Sequence, residues 1–313
     1  MNITLKGADI LRLCDMSAEQ VLGILDSAKL LKTQRADGTI KPVLSGKHIG
    51  IIMQKPSLRT RVSFEVACHL LGAYPVVLEG ATNAFSRGES VQDTVGTLEG
   101  YLDALVVRTF EDAFLAQIAD DASIPVVNAL TDGFHPCQGL ADLLTIQEHF
   151  GTLAGITVAY VGDGSNNMAH TYLEACALMG MHLRIATPAS YQPDGAILAD
   201  AQRLASASGA TIQITADPYQ AVHGADVVIT DTWASMGSED EYEQRLADLA
   251  DYQVNPSSMA HASDTAIFMH CLPAHRGEEV TDEVIDSDAS KVMAEAHNRL
   301  YVQTALLQAL LGD

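Results

Sequence analysis

The chain is short of cysteine, of cations and of long apolar runs. Its five cysteines, Cys14, Cys68, Cys137, Cys176 and Cys271, are scattered, odd in number and never form a C-x-x-C pair. That spacing argues against a disulfide framework and against a cysteine-built zinc site. Free thiols suit a reducing compartment, so a cytoplasmic location is expected. No apolar stretch approaches the ~20 residues that a membrane-spanning helix needs, so no membrane association is expected. The opening MNITLKGADILRLCDMS lacks a basic segment followed by an apolar one and reads as a start without a signal peptide. Only 18 Lys and Arg face 40 Asp and Glu, a net charge of −22. Such a surface repels polyanions and argues against a nucleic-acid partner. Cations this scarce make any cluster of arginines informative.

What the chain does have is 313 residues, 48% of them hydrophobic, enough for two domains with sizeable cores. Short apolar runs alternate with segments of helical period. HIGIIM (48–53), PVVLE (75–79), ALVVR (104–108) and IPVVNA (124–129) read as strands. Helices are expected over 61–72, over 89–102 and from about Gln138 to His149. Near Gly151 the pattern restarts. ITVAYVG (156–162), HLRIAT (182–187), TIQIT (211–215), DVVITD (226–231) and AIFMH (266–270) are the later strands, and SKVMAEAHNRLYVQTALLQALLG is a long closing helix. This alternation implies parallel sheets covered on both faces. The expected fold is α/β: two doubly wound parallel-sheet domains, residues 1–150 and 151–313, with a cleft between them and a C-terminal helix linking back.

The candidate functional residues fall just after the strands. Ser57, Arg59 and Arg61 follow the first, Arg108 ends the third, His135 follows the fourth, Asp231 ends DVVITD and Cys271 follows AIFMH. In open parallel sheets, ligands bind outside the carboxyl ends of the strands. KPSLRTR (55–61) runs directly into a helix, whose first N–H groups attract phosphate. Ser57 and Thr60 add hydroxyls and Arg59 a fork that matches phosphate oxygens. The same pattern also suits an ordinary helix cap with solvated arginines. VGDGSNN (161–167) has two glycines of a dinucleotide fingerprint, but Asn167 stands where the third belongs. His135 and Gln138 lie three apart near a helix start: one can donate to a polarised carbonyl, the other accept from an amide. A histidine capping a loop fits equally well. Asp231 can hold an amine or belong to a structural loop, and Cys271 can act chemically or fill a core.

Taken together, SLRTR (57–61), RGES (87–90), VVRTF (106–110), FHPCQGLAD (134–142), VGDGSNNMAH (161–170), DTWASMG (231–237), HCLPAHRGEEVTDEV (270–284) and NRL (298–300) closely resemble the ornithine carbamoyltransferase family. S-x-R-T-R and HPxQ mark carbamoyltransferases in general, and SMG with HCLP points to ornithine as acceptor. The resemblance implies transfer of a carbamoyl group from carbamoyl phosphate to the side-chain amine of L-ornithine, giving citrulline and phosphate, with no metal or organic cofactor. It implies that Ser57, Leu58 through its N–H, Arg59 and Thr60 bind carbamoyl phosphate, with Arg108 bridging its phosphate and carbonyl oxygens. His135 and Thr60 would donate to the carbonyl oxygen, Gln138 would hold the carbamoyl amide, and Arg299 would close on the carbamoyl group. Asn167, Asp231, Ser235 and Met236 would bind the amino-acid end of ornithine, while Cys271 and the Leu272 carbonyl orient its side-chain amine and also belong, with Arg299, to the groups that bind carbamoyl phosphate. Homotrimers, or multiples of them, are implied as well.

The sequence departs from the family at two places. Leu58 replaces the usual threonine, removing a hydroxyl while keeping the N–H. Ala84, beside Asn83, stands where the family sends a glutamine into a neighbouring subunit's site. The competing readings are a carbamoyltransferase with another acceptor, such as putrescine, aspartate or an acylated ornithine, and a non-catalytic carbamoyl-phosphate-binding protein.

Overall fold

The computed structural model describes residues 5–79, 88–234 and 241–312. The chain divides into two compact units: Met1–Leu144 with His297–Asp313, and Thr145–Ala296. No helix among the described residues is long and apolar enough to cross a membrane.

The first unit runs α1 (Ala18–Ala36), β1 (His48–Met53), α2 (Leu58–Leu71), β2 (Tyr74–Glu79), α3 (Val91–Leu98), β3 (Ala104–Arg108), α4 (Asp112–Asp121), β4 (Val126–Leu130) and α5 (Pro136–Phe150). Its four strands are all parallel, in the order β2-β1-β3-β4. β1 buries every residue after His48, as expected of a β-branched run covered on both faces. A core of Ile52, Val95, Leu105, Val107, Leu115, Ile118 and Val126 packs on one side of the sheet. Each such side chain contributes ~1.5–3 kcal/mol when fully buried. The strand order reverses between β1 and β3, and there Met53 lies opposite Arg108. The loops leaving these two strands therefore start level at a topological switch point, where open sheets bind ligands.

The second unit holds β5 (Thr157–Val161), α6 (Asn167–Met179), β6 (His182–Ala186), α7 (Gly195–Ser208), β7 (Ile212–Thr215), α8 (Pro218–Val222), β8 (Val227–Ile229), α9 (Tyr242–Leu249), α10 (Pro256–Met259), β9 (Ile267–Met269) and α11 (Asp282–Ile285). The strand order is β7-β6-β5-β8-β9, again all parallel. Tyr160, Ile229 and Met269 line up across β5, β8 and β9, so the loops carrying Gly162, Asp231 and Cys271 leave one edge of the sheet. Val161, Val228, Trp233, Leu249, Phe268 and Val280 belong to the core beneath them. The closing helix is α12 (Val292–Leu311).

Several boundaries differ from the sequence reading. α2 starts at Leu58 and not at 61, because Ser57 is its N-cap, so LRT forms the first turn. α3 ends at Leu98, two residues before Gly100, instead of running to 102. β8 stops at Ile229, leaving Asp231 in the following loop. The compact units divide the chain at Leu144, inside α5, and α12 passes back to the first unit at His297. A helix is continuous in sequence but packs residue by residue, and no composition shift marks where it changes unit.

Candidate active site

In the first unit the site is built on the N-terminus of α2. Ser57 is extended, and its Oγ accepts the Thr60 N–H at 3.3 Å. Leu58 is 77% exposed, so its missing hydroxyl leaves no buried gap. Thr60 is fully buried, and its Oγ1 lies 3.2 Å from Nη2 of Arg299, which comes from α12. Arg299 Nη1 donates to Oε1 of Gln138 at 3.2 Å. Gln138 Nε2 in turn donates to Oδ1 of the buried Asp142 at 2.8 Å, which fixes the amide with its oxygen toward the guanidinium. Arg61 is turned outward to Glu65 and Glu79, at 3.2 and 2.9 Å.

His135 precedes α5 and is buried. Burial first, then the charges of Arg299, Arg108 and Arg59, push its pKa well below the ordinary histidine value. The imidazole is therefore neutral near pH 7. It keeps a ring N–H to donate and adds no fourth positive charge to three arginines. Such a place attracts a phosphate dianion and offers donors to a carbonyl oxygen.

In the second unit the loop after β5 has its glycines for packing. A Cβ on Gly164 would fall 2.7 Å from the Tyr191 carbonyl oxygen, and Gly162 has φ +134°. Asn166 caps α6, accepting the Met168 N–H at 2.7 Å, and Asn167 opens the helix half-buried. After β8, the buried Asp231 accepts the Thr232 N–H at 2.8 Å and the Cys271 thiol at 3.1 Å, both on Oδ1. Burial raises its carboxyl pKa; His270, the thiol and the Thr232 N–H pull it back, and Glu279 adds to the rise. Leu272 has φ +58°, and its N–H donates to Nδ1 of His270 at 2.9 Å. That leaves the His270 proton on Nε2, facing Oε1 of the buried Glu279 at 3.1 Å.

The structure thus brings Thr60, Gln138 and Arg299 into contact, with His135, Arg108 and Arg59 in electrostatic reach of one another. It also pairs Asp231 with Cys271, next to Leu272. Ser235, Met236, Asn83 and Ala84 lie outside the described residues. Among those described, Asp231, His270 and Cys271 form one group whose donor atoms lie within 4.8 Å, and His275, Glu278 and Glu279 form another. In the first, the Cys271 thiol already donates to Asp231, so a metal ion would have to displace that bond.

Residues 8–148 match the carbamoyl-P binding domain of the aspartate/ornithine carbamoyltransferases, and residues 154–310 match their Asp/Orn binding domain. The ornithine carbamoyltransferase of Anoxybacillus flavithermus is 48% identical over 309 residues, 99% of this chain and 98% of that relative. The chain belongs to the ornithine carbamoyltransferase family. The ornithine carbamoyltransferase of Pyrococcus abyssi is 46% identical over 312 residues, 100% of this chain and 98% of its own. The solved ornithine carbamoyltransferase of Pyrococcus furiosus superposes with a TM-score of 0.96 at 44% identity, covering 99% of this chain and 98% of that one. The anabolic ornithine carbamoyltransferase of Campylobacter jejuni gives 0.90 at 38% identity, covering 96% and 97%.

Within this family frame, the structure adds residues that the sequence reading passed over. Asp142 orients Gln138 from four residues on, a helical i,i+4 pair visible in QGLAD. Lys55, almost fully buried, pairs with Asp132 and lies 4.3 Å over the Phe110 ring, tying the loop before Ser57 to the loop before His135. Arg245 donates to Asp163 Oδ2 at 2.6 Å and to the Trp233 carbonyl at 3.1 Å, tying the β5 loop to DTW. His270 and Glu279 sit inside the motif HCLPAHRGEE, but only the fold shows that they face each other.

Proposed function

We propose that this protein transfers the carbamoyl group of carbamoyl phosphate to the side-chain amine of L-ornithine, forming L-citrulline and phosphate. The observation that carries this reading is the Asp231–Cys271 pair, set in a second unit that matches the Asp/Orn binding domain. The donor side is supported by the Thr60–Arg299–Gln138 contacts around a neutral His135.

Ser57, the Leu58 N–H, Arg59 and Thr60 hold the phosphate at the α2 N-terminus, with Arg108 reaching both phosphate and carbonyl oxygens. Thr60 and His135 donate to the carbonyl oxygen, where negative charge builds as the amine attacks. Gln138 Oε1 accepts from the carbamoyl NH2, and Arg299 adds positive charge beside it. Asn167, Asp231, Ser235 and Met236 hold the amino-acid end of ornithine. Cys271 and the Leu272 carbonyl aim the side-chain amine.

The attacking nitrogen must be uncharged, and desolvation lowers an amine pKa. Its lone pair forms the new C–N bond, the C–O bond to phosphate breaks, and the arginines neutralise the departing dianion. The proton lost from nitrogen goes to the Asp231–Cys271 pair. No step requires a metal or organic cofactor. A homotrimer, or a multiple of one, is proposed from the family resemblance, and a cytoplasmic location is supported by the free cysteines, of which Cys68, Cys137 and Cys176 are buried.

The direct test supplies carbon-labelled carbamoyl phosphate and ornithine to the purified protein. Labelled citrulline with one phosphate released per turnover is expected. Phosphate release without citrulline would overturn the proposal.

A further inference from the structure

Cys271 is held from both sides by groups that the reaction itself does not use. On the far side, the Leu272 N–H is tied to the His270 ring at 2.9 Å. On the near side, the His270 N–H donates to Oε2 of Glu295 at 2.9 Å. Glu295 lies in the first turn of α12 and is 0% exposed. A carboxylate is costly to bury, and a glutamine could accept the same N–H with less desolvation. What the Glu295 side chain supplies is an acceptor of the right length for the buried His270 backbone N–H, which would otherwise be left unsatisfied. The place where that anchor matters is the end of β9. Directly beyond it comes Leu272 with φ +58°, a backbone that a leucine keeps only where its surroundings over-determine it. The Cys271 thiol, 3.1 Å from Asp231, takes its position from this stretch of backbone.

We propose that Glu295 is a positioning residue for the acceptor side of the reaction: its buried carboxylate anchors the peptide before Cys271 and thereby aims the thiol and the Leu272 carbonyl. The inference rests on the proposed role of Cys271 in orienting the ornithine amine. Glu295→Ala releases the anchor. Small misplacements of reacting groups cost up to ~10²-fold in rate, so kcat with ornithine should fall by about tenfold or more and the ornithine KM should rise. The carbamoyl phosphate KM should rise much less, because most of its proposed binding groups are in the first unit and only Cys271 and Leu272 are not. Glu295→Gln keeps an acceptor for the N–H and should recover most of the rate. Glu295→Asp, one methylene shorter, should not.

The experiment measures both KM values, kcat and the alkylation rate of Cys271 by iodoacetamide, read by peptide mass, in the full-length Ala, Gln and Asp variants, with Cys271→Ser in parallel. The expected result is a loss chiefly in ornithine kinetics, a changed Cys271 alkylation rate, and rescue by Gln but not by Asp. If Glu295→Ala does not fold, the Gln and Asp variants decide. Wild-type ornithine kinetics in Glu295→Asp, or an equal rise in both KM values, would overturn the inference. If Cys271→Ser itself keeps wild-type ornithine kinetics, the underlying reading of Cys271 fails instead.

Discussion

Replacing Arg299 by methionine should separate the donor chemistry from the fold. The guanidinium is buried and makes two hydrogen bonds of 3.2 Å, to Gln138 Oε1 and Thr60 Oγ1. Hydrogen bonds from charged donors contribute ~1.5–3 kcal/mol each. At 3.2 Å both belong at the weaker end, so about 3–4 kcal/mol is at stake if the same donors serve the transition state. At ~1.4 kcal/mol per decade, that is a loss of about 10²–10³ in kcat/KM for carbamoyl phosphate. Arg299 is also the largest charge holding down the His135 pKa, after burial. Methionine removes that charge while preserving much of the volume, so the His135 pKa should rise. The assay is kcat/KM for carbamoyl phosphate across the pH range, with an NMR titration of the imidazole in both proteins. A variant within threefold of wild type, or a His135 that titrates no higher than before, would refute the reasoning.

Arg59→Ala should abolish turnover with an unchanged far-UV CD spectrum and melting cooperativity; near-wild-type turnover would remove Arg59 from the phosphate site. The lowered His135 pKa also sets a stability trend. Below the unfolded value of 6.5 the unfolded chain takes up a proton that the folded chain refuses. The unfolding free energy from urea melts should therefore fall as pH drops from about 6.5, by up to ~1.4 kcal/mol per pH unit from this group, and His135→Gln should flatten the trend. Asp231 has the opposite sign. Its raised pKa gives a contribution present below 3.8 and lost as pH rises through the folded value, so the ionised carboxylate is a cost at neutral pH. Asp231→Asn should lose ornithine turnover and melt higher at pH 7, a trade of stability for function; a lower Tm would contradict the assigned burial cost.

Most of the sheet was legible because parallel strands buried on both faces are apolar runs, and HIGIIM and ALVVR match β1 and β3 residue for residue. The switch-point geometry followed from where the polar residues fell after those runs. KPSLRTR was legible as a helix entry with a possible cap, but the first turn was not: the helix starts at Leu58, with Ser57 as the cap, and not at 61. The pairings within the site were not legible from spacing at all. Thr60 meets Arg299 across 239 residues and Asp231 meets Cys271 across 40, and no local pattern encodes such distances. The same holds for Glu295, which inside an apolar helix looks like a solvated acid. Only the fold shows it to be buried and bonded to the His270 amide.

The central claim is the pairing of a carbamoyl phosphate site with an ornithine site. The most direct measurement is kcat/KM at saturating carbamoyl phosphate with ornithine, putrescine and aspartate as separate acceptors. Putrescine keeps both amines but lacks the carboxylate of the amino-acid end that Asn167, Asp231, Ser235 and Met236 are proposed to hold, and aspartate lacks the side-chain amine that Cys271 is proposed to aim. Ornithine should be preferred over putrescine by about 10²-fold or more, as for a site whose polar groups are left unpaired by the smaller analogue, and aspartate should give no product. Equal or better use of putrescine or aspartate, or no citrulline from ornithine, would contradict the account.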